Sequence, residues 1–285
     1  VRLLPGEAHF FDLNGDEVEM ESTHITWDAA AAEKGGYEHF MIKEIHEQPA
    51  VVRDTIASVI KDGRIDLSAA GLTPDVLASV SAVHIAACGS AWHAGMVGKY
   101  VIEDLAEVPV TVDLASEFRY KKILLDKNAL FIVISQSGET ADTLAALRAA
   151  KAHGIRTLGV VNVVGSTIAR EADSVLYTLA GPEIAVATTK AYSTQLAAMY
   201  AFALALAASK EKLEDSDYNY YIEELQALPD KISRVLENKE RIQWFAAKYA
   251  NAHDVFFLGR GLDYAISLEG SLKMKEISYI HSEAY

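Results

Sequence analysis

The sequence has little of what a disulfide-stabilised or metal-binding protein needs. Its 285 residues include one cysteine, so neither an internal disulfide nor a four-cysteine zinc site can form. A single thiol fits a reducing compartment, and we expect a cytoplasmic protein. No HExxH pattern and no paired Cys/His spacing is present, so we expect no metal.

Clustered basic residues and long apolar runs are also missing. The chain has 26 Lys and Arg against 40 Asp and Glu, giving a net charge of −14 without any basic run. Nucleic acids and anionic membranes are bound through clustered Lys and Arg, so neither is an expected partner. The longest apolar run, residues 196–208, is shorter than the ~20 residues of a membrane span, and we expect a core helix.

Signals for secretion and for nucleotide cofactors are absent too. The first residues have neither the order of a signal peptide nor an initiator Met, so we expect the chain to be cut from a longer protein. No GxxxxGK[ST] loop occurs, and the closest approach to GxGxxG, residues 259–264, has Tyr264 where a small residue is required. We therefore predict no cofactor.

What the sequence does contain is an alternation of short buried strands with helices over residues 80–213. This pattern is typical of an α/β protein with a parallel sheet covered on both faces. We expect the helices to begin near a Ser, Thr or Gly that can cap them. The predicted strands are 83–87, 110–115, 129–135, 157–163 and 174–180, and the predicted helices are 92–105, 140–153 and 190–209.

The flanking segments have other patterns. Asn14-Gly15 predicts a hairpin within residues 9–21, and residues 28–61 look helical with breaks at Gly35-Gly36 and at Pro49. Residues 211–252 predict charged amphipathic helices, and 254–261 begin a strand and turn that resemble 83–90. The resulting divisions are 1–24, 25–73, 74–213, 214–245 and 246–285.

Residues 134–144, ISQSGETADTL, are the richest candidate for chemistry. Ser135, Ser137 and Thr140 lie where a buried strand ends and a helix begins, and such a position offers free N–H groups and a positive dipole to an anion. Hydroxyl donors without added charge suit a phosphate ester. A Ser/Thr capping box without any ligand fits the same pattern.

Two more polar loops follow strands of the same sheet, at Cys88-Gly89-Ser90 and at residues 181–195. Because the carboxyl ends of parallel strands share one edge, we expect the three loops to form one pocket. Cys88 has no base beside it in the sequence, so a small packing residue is favoured over a thiolate nucleophile.

The helix predicted over residues 264–280 carries Glu269, Lys273 and Glu276 within one sector of about 60°. Apolar residues flank this stripe, and Ser267, Ser271, Lys275 and Ser278 form the opposite face, which we expect to be the solvent side. The stripe is then predicted to point inward, where a carboxylate is suited to act as a base. An ordinary salt-bridged surface is the alternative.

Several motifs together closely resemble the isomerase half of the glutamine–fructose-6-phosphate aminotransferase family, from about Asp28 to the end. They are ACGSAWHAGM (87–96), ASEFRYKK (115–122), SQSGETADTL (135–144), NVVGSTIAREAD (162–173), EIAVATTKAYSTQL (183–196) and FLGRGLDYAISLEGSLKMKEISYIHSEAY (257–285). The resemblance implies a three-layer αβα sugar-isomerase (SIS) domain with a five-stranded parallel sheet, and the start of a second SIS domain.

The resemblance also implies residue roles. Glu276 would move a proton between C1 and C2 of the sugar, assisted by Lys273. Ser135, Gln136, Ser137 and Thr140 would bind the phosphate, and the sugar would contact Cys88, Gly89, Ser90, Val186 and Thr188. The family usually has Thr-Ser where Ser90-Ala91 stand here, and Ser where Thr188 stands.

The family converts fructose 6-phosphate and glutamine to glucosamine 6-phosphate, using a glutaminase domain for ammonia. Its glutaminase cysteine, its ring-opening His and its imine-forming Lys are not in this chain, so we expect the chain alone to be inactive. The family's dimer, in which that His crosses between subunits, is implied as well. A non-catalytic SIS sensor of sugar phosphates is the alternative, but a sensor does not need the Glu269–Lys273–Glu276 stripe.

Overall fold

The computed structural model describes residues 1–20 and 32–285. The predicted boundary at residues 24/25 and the predicted helical start at Asp28 lie outside these ranges. The chain begins with a small antiparallel sheet of β1 (Arg2–Leu4), β2 (Glu7–Phe11) and β3 (Glu17–Val18). Asn14-Gly15 lies in the turn between β2 and β3, so the predicted hairpin is confirmed.

Helix α1 (Phe40–Ala57) runs through Pro49, so the predicted break at this proline is wrong. Proline lacks the N–H that would bond to the carbonyl of Ile45, four residues earlier. The side chain of Gln48 supplies a donor instead, with Nε2 at 3.1 Å from that carbonyl oxygen. After α1, strands β4 (Ile60–Lys61) and β5 (Arg64–Ile65) form a tight hairpin through Asp62-Gly63. Asp62 and Gly63 both have positive φ, as a two-residue type I′ hairpin turn requires.

The central sheet has five parallel strands, which confirms the prediction. Its strands lie in the order β10-β9-β8-β6-β7 and are β6 (Val83–Ala87), β7 (Val110–Leu114), β8 (Leu130–Ser135), β9 (Arg156–Val161) and β10 (Ser174–Tyr177). Every residue of β8 is buried, because helices cover both faces of the sheet. The central strand β8 therefore reads as a nearly continuous apolar run, whereas the edge strands β7 and β10 are partly exposed.

The helices form two layers, one on each face of the sheet. Helices α3 (Gly89–Ala106) and α7 (Lys190–Ser209) enclose one core together with α1, and α2 (Pro74–Ser79) packs against α7. The other core contains α4 (Ala115–Phe118), α5 (Ala141–Ala152) and α6 (Thr167–Glu171). The architecture is therefore the predicted three-layer αβα arrangement. Helix α7 is long and apolar enough to cross a membrane, but most of it is buried in the first core, as predicted for a core helix.

The expected side-chain caps are not used. The residues that precede α3, α5 and α7 are Cys88, Thr140 and Thr189, and none of them makes a side-chain capping bond. The prediction of capped helices is therefore wrong for these three.

The last part of the chain follows two connecting helices, α8 (Asp215–Leu236) and α9 (Lys239–Tyr249). Strand β11 (Asp254–Phe257), helix α10 (Leu262–Ser278) and strand β12 (His281–Ala284) then form a βαβ unit with parallel strands. Helix α10 packs on α3, and this contact brings the end of the chain to the central sheet.

The packing of α3 on the sheet leads to a stability prediction. A Cβ added at Gly95 would lie 2.9 Å from Cγ2 of Ile85 and 3.3 Å from Cγ1 of Val112. We expect Gly95→Val to lower the free energy of unfolding by about 1–3 kcal/mol, the usual cost of overpacking a core. Denaturant unfolding followed by circular dichroism measures this change.

Gly98→Ala on the same helix is the matched control. Its Cβ would meet the terminal methyl of Met199 at 2.7 Å, and methionine can change rotamer to make room. We expect the control to stay close to the parent protein in stability. Equal stability of Gly95→Val and the parent protein would contradict the close packing described for α3.

Candidate active site

The carboxyl edge of the central sheet carries a cavity of about 290 Å³. Strands β6 and β8 are neighbours in the sheet, but the helices that follow them, α3 and α5, lie on opposite faces. The two loops therefore diverge and leave a crevice, which is where open α/β sheets bind ligands. The cavity is lined by Cys88, Ser90, Ala91, Ile134, Ser135, Gln136, Ser137, Thr140, Thr143, Glu183, Ala185, Val186, Thr188, Gln195, Lys273 and Glu276.

The structure thus brings all three predicted loops to one cavity. Of the eleven predicted site residues, ten line it and Gly89 does not. Gly89 begins α3 with φ of +56°, a conformation that favours glycine, so its place next to Cys88 is a requirement of the turn. Thr143, Glu183 and Gln195 also line the cavity and were not predicted, because nothing in their local sequence distinguishes them from ordinary helix and loop residues.

The loop after β8 is folded by its own serines. The hydroxyl of Ser135 accepts the N–H of Gly138 at 3.0 Å and lies 3.0 Å from the hydroxyl of Thr140. The hydroxyl of Ser137 accepts the N–H of Glu139 at 3.1 Å. Thr140 makes no capping bond, so these contacts are not the capping box that the sequence left open.

Glycine is required at position 138 in this loop. Its φ is +67°, and an added Cβ would lie 2.0 Å from the hydroxyl oxygen of Ser166. The neighbouring carboxylate of Glu139 accepts the backbone N–H of Thr167 at 2.7 Å. This bond and the Thr167 hydroxyl lower the pKa of Glu139 below its usual value. The loop is therefore tied to the start of α6 and has little freedom to move.

The third wall is the loop of residues 181–189, which has no regular secondary structure. The carboxylate of Glu183 accepts the Thr188 hydroxyl at 2.7 Å, the N–H of Thr189 at 3.0 Å and the N–H of Ala191 at 3.2 Å. Glu183 is therefore occupied in closing its own loop at the start of α7.

The end of β6 contributes Cys88 and Ser90. Cys88 is a free, partly buried thiol that packs against the core of α4, α5 and α6, as predicted for a small packing residue, and it also borders the cavity. Ser90 is buried, and its hydroxyl donates to Oε1 of Glu269 at 2.7 Å. This bond connects the first turn of α3 with α10, almost two hundred residues later.

Helix α10 places Lys273 and Glu276 at the cavity and buries Glu269 behind them. The Glu269 carboxylate lies 2.6 Å from Nδ1 of His93 and 3.4 Å from Nζ of Lys273. Lys273 also pairs with Glu276. Burial and the nearby Glu269 charge raise the pKa of the Tyr192 hydroxyl well above its ordinary range, so this phenol stays neutral beside the carboxylate.

The predicted faces of α10 need correction. Glu269 points inward as predicted, but the side chain of Glu276 is 41% exposed. Ile277, expected beside a buried stripe, is exposed, whereas Ser271, assigned to the solvent side, is buried. The reason is the βαβ unit: the hydroxyl of Ser271 donates to the carbonyl of Ser282 on β12 at 2.9 Å, so this face of α10 covers that sheet.

The lining is polar and carries few charges. Lys273 is the one cation among the lining residues, and Glu183 and Glu276 are the anions. In residues 1–20 and 32–285, no group of His, Cys, Asp and Glu side chains is arranged to hold a metal ion. The chemistry that this surface offers is therefore hydroxyl and amide donation together with one Lys–Glu pair.

Comparison with known proteins agrees with this geometry. The SIS domain family matches residues 77–205. Glutamine–fructose-6-phosphate aminotransferase from Clostridium tetani is 58% identical over 96% of this chain, and that from Caldanaerobacter subterraneus is 56% identical over 98%. The chain spans 45% and 46% of these two relatives, a little under half of their length.

A solved structure gives the same result over a larger share of its own length. The C-terminal domain of glucosamine-fructose-6-phosphate aminotransferase from Francisella tularensis has a TM-score of 0.86 and 42% identity, with 89% of this chain and 71% of that chain covered. The resemblance inferred from the sequence motifs is therefore confirmed. The chain belongs to the glutamine–fructose-6-phosphate aminotransferase family, and it contains an SIS domain of that family's isomerase half.

Proposed function

We propose that the cavity binds fructose 6-phosphate and, after reaction, glucosamine 6-phosphate. The observation that carries this proposal is the convergence of three polar loops at the point where β6 and β8 diverge. Relatives that share about half of the sequence are named for fructose 6-phosphate. A hexose phosphate has an anionic end and a hydroxyl-rich body, and the cavity offers a different wall to each.

The phosphate would lie against the loop after β8. Ser135, Gln136, Ser137 and Thr140 line the cavity there, and the N-terminus of α5 follows directly. Hydroxyls, backbone amides and the helix dipole stabilise an anion without a bound cation. This wall therefore suits a phosphate ester that has to be released again after reaction.

The sugar body would contact the two other walls. Cys88 and Ser90 are on one side, and Val186 and Thr188 are on the other. Gly89 does not line the cavity, so we assign it the turn that presents Cys88 and Ser90. Small side chains on both walls leave room for a six-carbon chain.

For catalysis we propose that Glu276 moves the proton between C1 and C2 of the open-chain sugar and that Lys273 assists it. Both side chains border the cavity and pair with each other. Glu269, held by Ser90 and His93, keeps Lys273 in place from behind. A sensor that only binds sugar phosphate has no use for a Lys273–Glu276 pair at its cavity that the buried Glu269 holds in place, which favours the enzyme.

The whole reaction requires more than this chain. We propose that the chain acts within a cytoplasmic aminotransferase, next to a glutaminase domain that supplies ammonia, and that the active protein is a dimer. The chain alone is then expected to bind the sugar phosphate without producing glucosamine 6-phosphate. We also propose what each division of the chain contains. They are the tail of the glutaminase domain (1–24), a helical linker region (25–73), the first SIS domain (74–213), connecting helices (214–245) and the start of a second SIS domain (246–285).

Phosphate binding is tested by Ser137→Ala. Calorimetric titration with fructose 6-phosphate should show affinity lowered by about tenfold, because one hydrogen bond to an anion contributes roughly 1.5 kcal/mol. Ser79→Ala is the control, since the Ser79 hydroxyl is exposed and bonds to the carbonyl of Val76. An affinity for Ser137→Ala equal to that of the control would remove Ser137 from the site.

The proton-transfer role is tested by Glu276→Gln in a full-length aminotransferase that contains this chain. We expect turnover to fall by about 10²–10⁴-fold, the usual contribution of a general base, while the affinity for fructose 6-phosphate changes little. Lys275→Gln is the control, because Lys275 is an exposed neighbour on the same helix. Turnover of Glu276→Gln within a factor of two of the parent enzyme would show that another group moves the proton.

A further inference from the structure

The wall formed by residues 181–189 depends on a side chain from a distant helix. Glu44 on α1 accepts the N–H of Ile184 at 2.6 Å and the N–H of Ala185 at 3.1 Å, both through Oε1. The side chain is almost completely buried, with 1% exposure. A buried carboxylate is costly unless it is hydrogen-bonded, and the partners of Oε1 are two consecutive amides of the cavity wall, whereas Oε2 is buried without a hydrogen-bond partner in the described part of the chain.

Glu44 is the first of three residues by which α1 holds this region. Oε2 of Glu47 lies 2.8 Å from Nζ of Lys190, which is buried at the start of α7. The hydroxyl of Ser193 donates to Oε1 of Gln48 at 2.5 Å. Glu47 and Gln48 contact α7, and Glu44 alone of the three contacts the loop before it. Val186 and Thr188, which line the cavity, therefore lie between the amides bonded to Glu44 and the start of α7, which is bonded to Glu47 and Gln48.

The phosphate wall is held by a separate set of bonds. Ser135 and Ser137 bond within their own loop, and Glu139 ties that loop to α6 on the other face of the sheet. None of these bonds involves a residue of α1. Releasing Glu44 should therefore loosen one wall of the cavity and leave the other unchanged.

We propose that Glu44 is a positioning residue that sets the sugar-facing wall of the cavity, so that it controls affinity for the sugar body but not for the phosphate. The proposal deepens the proposed function and rests on it for the nature of the ligand. Ala185, whose N–H bonds to Glu44, lines the cavity, and so do Val186 and Thr188, which follow it in the loop. Loss of those bonds therefore displaces the residues that would meet the sugar.

The test compares two ligands on the complete 285-residue chain. Calorimetric titration of Glu44→Ala should show fructose 6-phosphate bound about tenfold more weakly, as expected for the loss of hydrogen bonds to a charged group. Inorganic phosphate, which reaches only the loop after β8, should bind within about twofold of the parent affinity. Glu44→Gln keeps one carbonyl oxygen for both amides and should restore most of the affinity for fructose 6-phosphate.

Gln48→Ala is the matched control. It removes the contact between Gln48 and Ser193 on α7, together with the Gln48 bond to the Ile45 carbonyl, and leaves the Glu44 bonds to the loop amides in place. Its affinity for both ligands should therefore equal that of the parent chain. An equal loss of both ligands in Glu44→Ala, or no loss of either, would overturn the proposal. So would an equal loss of fructose 6-phosphate affinity in Gln48→Ala.

Hydrogen exchange separates this proposal from the proposed function. Backbone amides of residues 184 and 185 should exchange faster in Glu44→Ala than in the parent chain or in Gln48→Ala, with no ligand present. If the parent chain binds no sugar phosphate, the proposed function fails and the assignment of a sugar-facing wall fails with it. If exchange at these two amides is unchanged, Glu44 does not position the loop, whatever the ligand.

Discussion

The cavity exists because the helices after two paired parallel strands, β6 and β8, lie on opposite faces of the sheet. Strands β6 and β8 pair along their length, and their helices then leave to opposite faces. The loops after both strands and the loop before α7 therefore face the same cavity, and every proposed function of the chain lies there.

The cavity walls are fixed by carboxylates that do not themselves belong to the proposed phosphate site. Glu139 holds the loop after β8, Glu183 and Glu44 hold the loop before α7, and Glu269 holds Lys273. Each interacts with specific donors of the segment it holds. The phosphate wall itself is left with neutral donors, which suits an anionic ligand in a chain of net charge −14.

The fold could be predicted from the sequence because periodicity is local information. The alternation of strands and helices predicted the sheet, and the polar loops after its strands predicted where the cavity lies. The family resemblance supplied the individual site residues, ten of which line the cavity. What could not be predicted depends on contacts between distant segments. The burial of Ser271 against β12 and the bonds from Glu44 to the loop before α7 require the tertiary structure. The bond from Gln48 to the Ile45 carbonyl is local, but it depends on a side-chain conformation that periodicity does not report. The faces of α10 were misassigned for the same reason.

A crystal structure of the chain soaked with fructose 6-phosphate would show where the phosphate binds. We expect phosphate density within hydrogen-bond distance of Ser135, Ser137 and Thr140, with the sugar directed toward Ser90 and Thr188. Phosphate bound elsewhere on the surface, with the cavity between β6 and β8 empty at saturating ligand, would contradict this expectation.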